Sequence, residues 1–189
     1  MYKIEQNLVK ELVRQLRSSR SPWGTVDITQ EFSYQRGRTD VVALADEGRH
    51  LIAFEAKLVR WRDAVHQAYR NTCFAHTSFV VLPRHTALIA EKYGAEFQRR
   101  NIGLCYLDDR KIVILHKPET QTPIEPWFFE QAVAAARKGH YGPARSRVYS
   151  AKDLPRTPDE VCGTSRRGNV QTDVPCGRAR RSPSRPQTV

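Results

Sequence analysis

Asp40, Glu55 and Lys57 are the residues of this chain whose types and spacing could do metal-assisted chemistry. Glu55 and Lys57 stand two apart in the apolar run LIAFEAKL, residues 51–58. Side chains alternate between the faces of a strand, so the two are expected to point the same way, with Phe54, Ala56 and Leu58 pointing the other. A run this apolar reads as a central strand, and charges buried there are costly unless a partner or a metal meets them. One reading is a structural Glu55–Lys57 ion pair. Against it, only Glu55 of the eleven glutamates has a lysine two residues on, and Asp40 precedes it in an adjacent predicted strand. The other reading is a site for a hard divalent cation. Magnesium prefers oxygen ligands, takes one or two carboxylates and keeps several waters. One of those waters can attack a phosphoryl group whose charge the cation neutralises.

The elements that must position these groups can be read from periodicity. Residues 2–18 form an amphipathic helix, with Ile4, Leu8, Val9, Leu12, Val13 and Leu16 at helical spacing. Glu5 falls within that apolar stripe, either favouring the helix dipole or serving a metal site. After the turn SRSPWG, residues 26–34 alternate as a half-buried strand and residues 39–44 form a second one. The turn at Asp46, Glu47 and Gly48 leads antiparallel into 51–58, which brings Asp40, Glu55 and Lys57 to the same end of the sheet. A helix over 61–75 follows, with Gln67 and Asn71 four apart on the flank of its apolar stripe. Then come a buried strand at 78–82, a helix over 86–99, short strands at 103–107 and 111–115, and a last helix over 124–138. That last helix either caps the core or packs on a second subunit, which leaves a homodimer open. The fold class is therefore α/β, a mixed central sheet flanked by helices.

Asp40, Glu55 and Lys57, spaced D-x(14)-E-x-K in this order of helix, strand, hairpin, strand and helix, resemble the PD-(D/E)XK nuclease superfamily, the restriction-endonuclease-like fold. The likeness covers roughly residues 1–117, with Thr39 standing where the namesake motif has proline. The resemblance implies that Asp40 and Glu55 bind magnesium, with manganese able to substitute, and that Glu5 completes the metal site from the first helix. It implies that Lys57 positions or activates the attacking water. It also implies that Gln67, in the stretch HQAYRN, touches that water or the scissile phosphate. The activity implied is a metal-dependent nuclease, an endonuclease acting on DNA in preference to RNA. The alternative is a catalytically silent nucleic-acid-binding or scaffolding protein on the same fold.

Composition agrees with a polyanionic partner: 189 residues carry a formal charge of +11. There is no apolar run of about 18 residues and no signal-peptide core, so a cytoplasmic protein with no membrane partner is expected. Cys73, Cys105, Cys162 and Cys176 form no C-x-x-C, which disfavours a disulfide framework and a zinc site. His66 and His76 lack ligand spacing and read as surface or helix-end histidines. Residues 1–138 form the expected nuclease-like domain. Residues 139–189 hold ten Lys or Arg against four Asp or Glu, with Tyr141 and Tyr149 as the only aromatics. That segment reads as a disordered, basic C-terminal tail, able to contact phosphates or to serve as a solvated linker.

Overall fold

The structure is a computed structural model that describes residues 3–35, 37–109 and 111–139, all within the first of two units of the chain, Met1–Arg145. The expected tail lies, from residue 140 onward, outside the described residues.

Six strands form one sheet in chain order: β1 Asp27–Tyr34, β2 Gly37–Ala45, β3 His50–Ala56, β4 Thr77–Leu82, β5 Gly103–Asp108 and β6 Lys111–His116. The pairs β1–β2, β2–β3 and β5–β6 are antiparallel, whereas β3–β4 and β4–β5 are parallel. The sheet is thus mixed, as expected. Parallel neighbours need a crossover, and helices supply it: α2 Trp61–Asn71 joins β3 to β4, and α3 Arg84–Glu91 with α4 Gly94–Arg99 joins β4 to β5.

Strand alternation sorts the apolar side chains into two layers. Val41, Ala43, Ile52, Phe54, Ala56 and Val81 face helix α1, Glu5–Leu16, whose Leu8, Leu12, Val13 and Leu16 are buried against them. Trp23 closes that layer, edge-on to Phe54 and Phe79 at ring separations of 5.2 and 5.3 Å. Val42, Leu44, Leu51, Ala53, Val80 and Leu82 face the opposite way, toward α2, α3, α4 and α5, Pro126–Gly139. Of the two options for the last helix, capping is the one seen: Phe128, Phe129, Ala132 and Ala136 of α5 pack with Phe32, Val42, Leu44 and Phe74.

Most element boundaries shift by one to three residues from the sequence reading, and three differences matter to the packing or the site. The helix expected over 86–99 is two helices, because the chain bends at Tyr93, whose ring reaches Trp61 at 5.3 Å, and Gly94 follows, where a Cβ would meet His116 at 2.8 Å. The α2 helix ends at Asn71 rather than at 75. The β3 strand stops at Ala56 rather than Leu58, one residue short of Lys57. Among the described residues no helix is long and apolar enough to cross a membrane. Cys105 is a fully buried thiol whose pKa burial pushes up, so it behaves as a small apolar side chain.

Candidate active site

Asp40 and Glu55 meet at one end of the sheet because the β2–β3 ladder runs out there. The last paired residues are Val41 and Phe54, so Asp40 and Glu55 are the next step on the two strands. Beyond that pair the Ala56 N–H is no longer taken by β2, and the Asp40 carboxylate accepts it at 2.8 Å. On its other side, β2 pairs with β1 through Gln30–Val41 and Phe32–Thr39. Between those pairs, opposite Asp40, Glu31 adopts the left-handed region at φ 55°.

Glu55 is 1% exposed, and its Oε1 accepts a hydrogen bond from Asn71 Nδ2 at 2.7 Å. Its Oε2 is buried with no hydrogen-bond partner. Burial, followed by the charge of Asp40, pushes the Glu55 carboxyl up to about 8, against the Asn71 hydrogen bond and the charges of Lys57 and Arg70. Burial raises Asp40 as well, opposed by the Ala56 hydrogen bond and by the charges of Lys57 and Arg38. Burial disfavours both carboxyl groups as anions, with the charge of Asp40 adding to it at Glu55 and that of Glu5 at Asp40, while Lys57 opposes it at both.

Lys57 stands differently from the sequence reading. Strand alternation no longer governs it past the end of β3, and its Nζ meets Glu5 Oε2 on α1 at 3.0 Å. The structural Glu55–Lys57 ion pair is accordingly not formed: Glu55 is held from α2 and Lys57 from α1. Glu5 reaches the same end of the sheet, near enough for its charge to act on Asp40, but as the counter-ion of Lys57. Among the described residues no three side chains of His, Cys, Asp or Glu gather as a metal-holding group. The carboxylates available to a cation are thus Asp40 and Glu55. Two suffice for magnesium, which completes its shell with water or substrate oxygens. An unpartnered, buried Glu55 Oε2 beside a second carboxylate fits such an ion, because a cation would supply the interaction this atom lacks. Gln67, one turn before Asn71 on α2, also has a buried Oε1 without a partner.

No family model matches the chain, and no curated protein matches it. Solved structures do. A protein of unknown function from Silicibacter pomeroyi, SPO1766, is 23% identical over 72% of this chain and 89% of its own, with a TM-score of 0.49. A repair endonuclease from Pyrococcus abyssi is 17% identical over 57% of this chain and 49% of its own, with a TM-score of 0.34. SfsA from Pyrococcus furiosus, in complex with Ca2+, is 10% identical over 62% of each chain, with a TM-score of 0.29.

Asn71 is the site residue that sequence reasoning missed. In the sequence it stands four residues after Gln67 on the flank of the apolar stripe, and nothing in that spacing pairs it with Glu55. The histidines lie elsewhere. His66 is exposed on α2, while His76 is half-buried at the far end of β3, where its Nδ1 accepts the Leu51 N–H at 3.0 Å and its ring stacks on His50. That is a structural role, not a surface one.

Proposed function

We propose that the protein is a magnesium-dependent nuclease that hydrolyses phosphodiester bonds, in DNA in preference to RNA, with Asp40 and Glu55 as the metal-holding carboxylates. The observation that carries this reading is the buried, unpartnered Glu55 Oε2 one ladder step from Asp40, with the Lys57 ammonium on the same rim. Magnesium, or manganese in its place, supplies Lewis acidity toward a phosphoryl oxygen and toward the attacking water.

The side chains divide the remaining work. Asp40 and Glu55 hold their carboxylates on adjacent strands, so their separation is fixed by the sheet and not by flexible loops. Lys57 is held by Glu5 in a pair that is 22% and 46% exposed, and such pairs contribute about 0–1 kcal/mol. The ammonium can therefore leave Glu5 for the water or for the charge that builds on phosphorus, where a fixed cation has most effect. Gln67 Oε1 is an acceptor for a water proton. Arg38 and Arg70, whose charges reach Asp40 and Glu55, suit the flanking phosphates. In the reaction the water oxygen bonds to phosphorus, one P–O ester bond breaks, and the leaving oxygen departs as an alcohol.

The reading can be tested before any substrate is known. A ligand that binds only the folded state stabilises it by about 2.7 kcal/mol at a hundred times its dissociation constant. Magnesium should therefore raise the melting temperature of the unmutated protein and leave those of Asp40→Asn and Glu55→Gln unchanged. An equal shift in the two variants, or none in the parent, would overturn it.

A further inference from the structure

We propose that Asn71 is the positioning residue for Glu55, clamped by the hydroxyls of Tyr34 and Thr39 so that Glu55 offers only Oε2 to a metal ion. The inference rests on the magnesium reading above and deepens it. Asn71 lies on α2 and is 1% exposed, and each of its three side-chain hydrogen bonds goes to a different strand. Its Nδ2 donates to Glu55 Oε1 on β3 at 2.7 Å, and its Oδ1 accepts from Tyr34 Oη on β1 at 2.7 Å and from Thr39 Oγ1 on β2 at 2.9 Å.

Glu55 fixes which way the amide faces. When Glu55 is ionised, as a metal ligand must be, it can only accept, so the NH2 end of Asn71 faces it and the two hydroxyls donate to Oδ1. Turning the amide over would set its carbonyl against the Glu55 carboxylate and lose that bond, although the two hydroxyls, which can donate or accept, would tolerate either end. Glu55 is thereby held at one oxygen, and the other, Oε2, is buried with no partner. Outer hydrogen bonds of this kind set the orientation of a ligating carboxylate, and their removal typically weakens metal binding 10- to 100-fold. The arrangement also gives Thr39 a use. Proline at that position could offer no hydroxyl, whereas Thr39 is fully buried and bonded to Asn71.

The test uses Mn2+ as the probe on the full chain, with its dissociation constant read from electron paramagnetic resonance and metal-free stability read from thermal melts. Asn71→Ala should weaken Mn2+ about 10- to 100-fold. Tyr34→Phe and Thr39→Val, which touch neither carboxylate, should weaken it less but in the same direction, and they serve if Asn71→Ala does not fold. A purely architectural Asn71 would instead lower the metal-free melting temperature and leave Mn2+ affinity as in the parent; that result in any folded variant overturns the proposal while sparing the magnesium reading. Failure of the unmutated protein to bind Mn2+ overturns both.

Discussion

A carboxyl group as buried as Glu55 is disfavoured as an anion, and that sets the pH behaviour of the metal-free protein. Its folded pKa is raised from an ordinary 4.5 to about 8, so between those values the folded state keeps a proton that the unfolded chain has released. Stability therefore falls as pH rises through that window, by up to about 1.4 kcal/mol per unit, and levels off above it. Asp40, raised in the same sense, adds to the fall. Glu55→Gln keeps an acceptor for Asn71 and cannot ionise. Urea unfolding from pH 5 to 9 should show the parent losing stability over that range and the variant much less; parallel curves would contradict the assignment. Lys57→Ala, by contrast, should change stability by about 1 kcal/mol or less, since the pair it leaves is half-exposed. At this scale Asp40 and Glu55 were legible in the sequence, because hairpin register follows from the turn and from alternation. The partnership of Asn71 with Glu55 was not: it depends on how far α2 is displaced along the sheet, which no periodicity encodes.

At the scale of elements, the order and type of strands and helices followed from apolar spacing. The misreadings fall where tertiary contacts override it. The break between α3 and α4 had a local sign in Gly94, but the reason the chain bends is the packing of Tyr93 and Phe97 on Trp61. The β4–β5 pairing makes a sharper demand. Gly103 is the ladder partner of Phe79, and a Cβ there would lie 2.2 Å from the Phe79 ring. Phe79 is itself held between Phe54 and Trp23 and is 2% exposed, so it cannot swing away. Gly103→Ala should accordingly destabilise the fold by about 1–3 kcal/mol, the usual result of overfilling a packed core. Chemical denaturation yields the value, and a loss near zero would mean that the sheet opens there more easily than the packing implies.

At the scale of the whole molecule, the charge of +11 points to a polyanion. Residues 140–189 carry much of it, and their removal tests whether they touch phosphates. The cut belongs after Gly139, not before it, because Gly139 ends α5 and its backbone lies against the Ile28 carbonyl. If the arginines of that segment contact duplex DNA, each lost contact lowers the slope of log affinity against log salt by about 0.9. An unchanged slope would assign the segment to another task.

Phosphodiester cleavage itself bears most directly on the central claim. Labelled duplex, branched and single-stranded DNA and RNA, incubated with the purified full chain, should be cut with magnesium and left intact with EDTA. Folded Asp40→Asn, Glu55→Gln and Lys57→Ala proteins should bind the same substrates and not cut them. Tight, salt-sensitive binding with no cleavage of any substrate in magnesium or manganese, or cleavage that survives these substitutions, would contradict the claim.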